Sequence, residues 1–149
     1  MAASWITPVS RTPPYLAVAI AESRFTYTLL KESREFTVNI LDATHSREVH
    51  MAGTISGRDY PDKLERIGLK WGKARRVSAP VCLDSLAVAE CALEGLHPYG
   101  DHVLVVGRIL EAYVREGVEL VDPKSYQPLL HCGGNKYTAP SEKVVEVED

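Results

Sequence analysis

The chain has few of the features that mark secreted, membrane or nucleic-acid-binding proteins. Its three cysteines include no CxxC pair, and an odd number favours reduced thiols in a cytoplasmic protein over a disulfide framework. No apolar run approaches the length of a membrane span, and the first residues carry no signal-peptide pattern. The net charge of −3 argues against a nucleic-acid partner. We therefore expect a cytoplasmic protein that contacts neither membranes nor nucleic acids.

The remaining composition is that of an ordinary globular domain. The 149 residues are 45% hydrophobic and 25% charged, which is enough for one core without metals or disulfides. A basic cluster between Arg66 and Arg76 has few aromatic neighbours and is typical of a solvated face. We predict a single domain over residues 1–149, with residues 140–149 as a flexible tail.

Periodicity predicts a mainly β fold with a few short helices. Two long strands joined by a turn over His97–Asp101 indicate an antiparallel hairpin, and Gly107 within the second strand is typical of a bulge or a sharp coil. In the first helix, Leu29 and Leu30 are predicted to face inward. Such a set favours a small antiparallel barrel. The predicted strands are Ser4–Ser10, Tyr15–Ala21, Phe36–Leu41, Leu86–Leu96 and His102–Val114, and the predicted helices are Arg24–Arg34, His45–Ala52 and Pro61–Gly68.

The junction between the strand ending at Ala21 and the following helix is rich in hydroxyls. The first-turn N–H groups of a helix have no internal partner, and the helix dipole favours an anion there. The hydroxyls of Ser23 and Thr26 and the guanidinium of Arg24 therefore form a candidate phosphate cradle. The alternative is that Ser23 only caps the helix and Arg24 is solvated.

Four ordered blocks of the sequence belong together. The first is Met1–Ser10 with the following prolines, and the second is Ser23–Tyr27 followed by Glu35–Asn39. The third is Gly53–Asp59 with Asp62-Lys63, and the last is Gly100-Asp101-His102. In this order the blocks resemble the flavin reductase-like, FMN-binding split-barrel family, including its flavoredoxin-type members. The resemblance spans Met1 to about Tyr137 and implies a Greek-key split barrel that forms a homodimer, with the last block similar to a GDH motif associated with reduced nicotinamide binding.

The resemblance implies a cofactor site for FMN. Ser23, Arg24, Thr26 and also Tyr27 would hold the phosphate, and the backbone at Ala3, Ser4 and Trp5 would line the ring edge. A core indole is the alternative for Trp5. Ser56 and Lys63 would add contacts from a loop over the pocket, and the alternative for them is a solvated turn and a surface lysine.

His102 is the candidate catalytic residue. By resemblance it faces the flavin where a nicotinamide would stack, and a histidine suits this place because its charge changes near neutral pH. Its alternative role is ordinary hairpin chemistry after a Gly-Asp turn. The other histidines show no ligand spacing with cysteines, so we predict no metal site.

The expected function is FMN binding with NAD(P)H-dependent flavin reduction. The alternatives are an FMN electron carrier reduced by a protein partner, and a barrel without flavin that serves as an interaction module. Family members usually begin with a further strand and an asparagine before the block that here starts at Met1. We therefore expect either a longer natural chain or a shorter barrel with weaker flavin binding.

Overall fold

The computed structural model describes residues 1–120 and 122–141. This part of the chain contains nine strands, three α-helices and one 3-10 turn. The strands are β1 Ile6–Arg11, β2 Pro14–Ala21, β3 Glu35–Ile40, β4 Trp71–Gly72, β5 Val81–Cys82, β6 Ala87–Tyr99, β7 His102–Val114, β8 Leu130–Gly133 and β9 Lys136–Thr138. The helices are α1 Phe25–Ser33, α2 Ser46–Thr54 and α3 Lys63–Ile67, and the 3-10 turn is Ala43–His45.

The main sheet has five strands in the order β1-β2-β7-β6-β3, and each neighbouring pair is antiparallel. The two 13-residue strands β6 and β7 form its centre. Strand β2 pairs with β7 as far as Ala21 opposite His102. The end of β2 therefore brings the start of α1 close to the first residue of β7. Two further pairs, β4 with β5 and β8 with β9, form small separate sheets.

The core lies against one face of the main sheet. The core residues of each strand are two positions apart, because alternate residues of a strand point to the same face of the sheet. Helix α1 packs against them through Tyr27 and Leu30, which are three positions apart and share a helix face. The β8–β9 hairpin lies outside this core, and most of its residues are exposed. The buried cluster contains Leu16, Val18, Ile20, Tyr27, Leu30, Cys91, Leu93, Val103 and Val105.

The mainly β prediction is confirmed, and each of the five predicted strands overlaps an observed one. The predicted turn over His97–Asp101 was too long. Strand β6 continues to Tyr99, which pairs with His102, so only Gly100 and Asp101 form the turn. Gly100 has φ of 59°, a conformation that a two-residue hairpin turn opening on glycine provides.

The prediction for Leu29 was also wrong. Leu29 is 46% exposed, whereas Leu30 is 3% exposed. Successive helical residues are rotated by about 100°, so a face that buries both Tyr27 and Leu30 turns Leu29 outward. The third helix is shorter than predicted, because it begins at Lys63 instead of Pro61. It ends at Ile67, and the following Gly68 has the left-handed backbone conformation.

Gly107 owes its place to a close approach. It lies opposite Leu93, next to the point where the β6–β7 register shifts between Leu93 and Gly95. The bulge thus falls on β6, and a Cβ at position 107 would lie 2.7 Å from Cε1 of Phe36. Glycine is therefore needed in β7 because the Phe36 ring covers it.

The cysteines are reduced, as the sequence predicted. Cys82, Cys91 and Cys132 are all free thiols, and Cys132 alone among them is exposed. Burial, and then the nearby charge of Glu90, raises the pKa of Cys91 to about 12.

Within the described residues, no helix combines the length and apolarity that a membrane crossing needs. Most of the predicted tail, residues 142–149, lies outside the described residues.

Candidate functional site

A cavity of about 360 Å³ lies where the N-terminal segment, the start of α1, helix α2 and the β8–β9 hairpin meet. Gly53 allows α2 to approach the N-terminal segment, because a Cβ there would crowd Ala2 Cβ at 3.3 Å. Gly134, with φ of 56°, lies in the turn of the hairpin beside the cavity. The lining residues are Ala2, Ala3, Ser4, Arg24, Val49, His50, Gly53, Thr54, Leu129, His131, Gly134 and Tyr137.

The cavity wall is rich in hydrogen-bond donors and contains no carboxylate. None of the ion pairs found among residues 1–120 and 122–141 includes Arg24. Burial and then the charge of Arg24 lower the pKa of Lys63, so a second cation lies near the guanidinium. Such a wall favours an anion or an oxygen acceptor.

In the described part of the chain, no cluster of three or more His, Cys, Asp or Glu is placed to hold a metal ion.

The first turn of α1 opens without a side-chain cap. The N-cap residue is Arg24, with φ of −73° and ψ of 130°, and no side chain accepts a hydrogen bond from the first turn. The predicted alternative, in which Ser23 caps this helix, is therefore wrong. The Tyr27 N–H donates to the Arg24 carbonyl at 2.9 Å. The preceding first-turn N–H groups are the ones that helix geometry leaves for an external acceptor.

Three of the nine predicted cofactor-binding residues, Ala3, Ser4 and Arg24, line the cavity. Ser23 is exposed and Thr26 is half-buried, on either side of Arg24 in the sequence. Tyr27 is 8% exposed and belongs to the core cluster, and Lys31 Nζ lies 4.7 Å from the centre of its ring. The structure thus accounts for Tyr27 by packing, and its predicted phosphate contact stays a prediction.

Trp5 and His102 lie together beside the sheet. Their ring centroids are 4.8 Å apart and the planes are inclined by 39°. Trp5 is 64% exposed, so the alternative of a core indole is wrong. His102 Nδ1 lies 2.7 Å from Asp101 Oδ1, and this hydrogen bond, followed by the charge of the imidazole, lowers the pKa of Asp101. Neither ring lines the cavity, although Trp5 directly follows Ser4, which does.

Lys63 and Ser56 hold the loop after α2. Lys63 Nζ donates to the carbonyls of Ala52 and Ile55, each at 2.7 Å, and so binds the C-terminal end of α2. The alternative of a surface lysine is therefore wrong, because the side chain is half-buried and bonded. Ser56 Oγ accepts from the Arg58 N–H at 3.1 Å within the following turn. Neither residue lines the cavity.

Three further lining residues, His50, His131 and Tyr137, were not predicted from the sequence. The Tyr137 ring is close to both histidines, with its centroid 5.9 Å from that of His50 and 5.2 Å from that of His131. His50 is more than 80 positions away from His131 and Tyr137 in the sequence, so no short motif contains all three. Only the folding of the β8–β9 hairpin onto α2 brings them together.

Comparison with known proteins identifies relatives over almost the whole chain. The family model described as "Flavin reductase like domain" matches residues 1–140. An uncharacterized protein of Pyrococcus abyssi is 33% identical over 99% of this chain and 86% of its own length. An NADH-dependent flavin reductase of a Rhodococcus species is 29% identical over 81% of this chain, which spans 64% of that relative.

Solved structures show the same fold. An FMN-binding protein from Thermus thermophilus superposes with a TM-score of 0.86 at 28% identity, covering 97% of this chain and 79% of the other. The flavoredoxin of Desulfovibrio vulgaris (Miyazaki F) gives a TM-score of 0.87 at 25% identity, covering 98% and 80%. These likenesses confirm a split-barrel fold.

Proposed function

Because the chain belongs to the flavin reductase-like domain family, we propose that its cavity binds FMN, with the phosphate at the start of α1. One observation carries the proposal. The Arg24 side chain lines the cavity from the N-cap of a helix that no side chain caps, and no carboxylate shares the wall. A helix N-terminus with an adjacent guanidinium is suited to a phosphate.

The residues around the cavity fit this cofactor. Ser23, Arg24 and Thr26 would hold the phosphate, with Tyr27 contributing from beneath the helix start. The main chain of Ala3, Ser4 and Trp5 offers both N–H and C=O groups to a ring edge that carries acceptors and a donor. Lys63, whose ammonium is already bonded to two carbonyls, would act on the phosphate through its charge, and Ser56 would order the adjoining turn.

We assign NAD(P)H-dependent flavin reduction as the activity, in line with the NADH-dependent Rhodococcus relative. Bound FMN would supply the hydride-accepting chemistry. The protein's part is to exclude water and to orient the nicotinamide. His102 would do so at the start of β7, where Asp101 fixes one ring nitrogen and Trp5 covers the ring.

The second candidate is an electron carrier that a protein partner reduces. The observation that favours it is the likeness to a flavoredoxin over 98% of this chain. The two functions differ at His102, because a carrier needs no position for a nicotinamide. The third interpretation, an interaction module without flavin, is contradicted if the protein binds FMN.

We further propose that the protein is a cytoplasmic homodimer. Strand β1 is an edge strand of the main sheet, and both Ile6 and Val9 on it are exposed. An edge with exposed apolar side chains is a surface that another chain can cover. An electron-accepting protein could bind the same assembly. Sedimentation of the purified protein tests the dimer directly.

Flavin titration tests the central proposal. The purified protein should show the absorbance of bound flavin or regain it with FMN, and it should bind FMN more tightly than riboflavin because of the phosphate site. The variant Arg24→Ala should remove most of that preference. Absence of FMN binding at micromolar protein, or equal affinity for both flavins, would contradict the proposed site.

A further inference from the structure

Two hydroxyl–imidazole pairs line the cavity. Ser4 Oγ lies 2.9 Å from His131 Nδ1, and Tyr137 Oη lies 3.1 Å from His50 Nδ1. In each pair, one group belongs to the β8–β9 hairpin and the other to the body of the protein. All four residues line the same cavity as Arg24.

The second nitrogen of His131 determines how its pair is arranged. His131 Nε2 lies 3.0 Å from the carbonyl oxygen of Gly134. A carbonyl only accepts hydrogen bonds, so Nε2 carries the hydrogen and the Nδ1 of a neutral ring must accept. The hydroxyl of Ser4 therefore donates to His131 as long as the ring is neutral, and its hydrogen points away from any ligand.

Protonation reverses this bond. A charged imidazole has a hydrogen on both nitrogens, so Nδ1 then donates to Ser4 Oγ while Nε2 keeps the Gly134 carbonyl. The single hydroxyl hydrogen of Ser4 is released and needs another acceptor. The cavity that Ser4 lines is the space in which a ligand could provide one.

We propose that His131 is a positioning residue, which takes up a proton as an anionic ligand binds and thereby turns the Ser4 hydroxyl into a donor to that ligand. With FMN as the ligand, the proposal rests on the function proposed above. The His50–Tyr137 pair is a second hydroxyl–imidazole contact, and its direction depends on which His50 nitrogen carries the hydrogen.

The surrounding charges couple the proton to the ligand. Arg24 lines the cavity at the start of α1, and Lys63 on α3 lies near Arg24. The nearest acidic group on α2, Glu48, lies 3.9 Å from His45. The Met1 amino group is near the same cations, and burial, then Lys63 and Arg24, lower its pKa to about 6. An anion that enters the cavity favours the charged form of an imidazole that lines it, so proton and anion bind together.

Calorimetric titration with FMN in buffers of different ionisation enthalpy measures the proton uptake. Between pH 7.0 and 8.5 the FMN phosphate is mostly dianionic, because its second pKa is about 6. Proton uptake in this range therefore comes from the protein, and one full proton weakens binding about tenfold per pH unit. The variant His131→Gln should reduce the uptake and flatten the pH profile.

The conservative variants separate this role from a structural one. Ser4→Ala should weaken FMN binding about two- to tenfold at pH 7, while Ser4→Thr, which keeps the hydroxyl, should restore it. In the Ser4→Ala background, His131→Gln should have little further effect on affinity. The matched control is His97→Gln, because His97 is exposed on β6 outside the cavity lining and its loss should leave the profile unchanged.

Several outcomes would overturn the proposal. FMN binding with the same proton uptake in His131→Gln as in the wild type refutes it while leaving the proposed function intact. If FMN does not bind at any pH, the proposed function fails and the role of Ser4 fails with it. Nitrogen NMR of the free protein at pH 8.5 gives an independent test, because a neutral His131 ring protonated on Nδ1 contradicts the arrangement.

Discussion

The rings of Trp5 and His102 lie 4.8 Å apart with their planes inclined by 39°, although 97 positions separate them in the sequence. The sheet brings them together, because Trp5 O accepts from Ala19 N at 2.9 Å and Ala21 pairs with His102 on the far side of β2. The exposed indole and the histidine held by Asp101 present two aromatic rings side by side at the surface. Such a surface is suited to stacking against an aromatic ligand.

Replacing His102 tests its proposed place in nicotinamide binding. With FMN bound, NADH or NADPH should bleach the flavin in stopped-flow mixing at a rate that saturates with nucleotide. His102→Ala should slow this step by about a hundredfold or more, which is typical of a lost proton-transfer or orienting group. FMN affinity should change little, because the phosphate site lies at α1.

The control for this experiment is His97→Ala on the same hairpin, which should reduce at the wild-type rate. Slow reduction unaffected by His102→Ala would keep the reductase and remove the role of the histidine. A flavin that dithionite reduces, but neither nucleotide does, would favour the electron carrier.

Arg24→Ala should weaken FMN binding about ten- to a hundredfold, since a charge-assisted hydrogen bond contributes roughly 1.5–3 kcal/mol. Riboflavin lacks the phosphate, so its affinity should hardly change. Fluorescence quenching of both flavins measures the two dissociation constants. Arg47→Ala, on the exposed face of α2, is the matched loss of one positive charge. Equal losses for both flavins would show that Arg24 serves the fold instead of the phosphate.

Glu90 should make the stability of the protein depend on pH. The side chain is 0% exposed, and it accepts hydrogen bonds from Arg75 N, Arg76 N and Tyr113 Oη. Burial alone would raise its pKa, but these hydrogen bonds outweigh burial and hold the pKa below the ordinary value. A lowered folded-state pKa stabilises the fold above the unfolded-state pKa of about 4.3, and this stabilisation is lost as the pH falls through the folded value.

Glu90→Gln should therefore lower the free energy of unfolding at pH 7 by roughly 1–3 kcal/mol, because two N–H donors lose a carboxylate. The difference from the wild type should shrink as the pH approaches 3, as measured by urea unfolding. Glu111→Gln is the control across the strand pair, and its exposed ion pair with Arg75 should cost less than about 1 kcal/mol. An equal effect of both variants would contradict the role of burial.

Local patterns in the sequence predicted the strands and the helix start. Alternation and continuous apolar runs gave the strands near their observed bounds, because side chains two apart share a face of a sheet. The hydroxyl-rich junction placed Arg24 at a helix start, and the structure has it at the N-cap of α1. These features depend on neighbours within about ten residues.

The rest of the candidate site could not be predicted because it depends on long-range folding. His50 meets Tyr137 only because the β8–β9 hairpin folds back over α2. Lys63 has the appearance of a surface residue in the sequence, yet its ammonium binds the carbonyls that end α2. Leu29 differs from Leu30 only by a rotation about the helix axis, which a pair of adjacent leucines does not specify.

Gly107→Ala tests the close contact at the centre of the sheet. A Cβ at this position would lie 2.7 Å from Phe36 Cε1 and 3.1 Å from Cys91 Cβ, so the ring must move within a packed core. We expect a loss of about 1–3 kcal/mol in the free energy of unfolding. Phe36→Leu combined with Gly107→Ala should cost less than the sum of the single changes, because the smaller side chain leaves room for the methyl group. In Gly57→Ala the nearest contact would be an ordinary 3.4 Å, so this control should stay near wild-type stability. Strict additivity of the double variant in thermal or urea unfolding would show that Phe36 is not what requires glycine at 107.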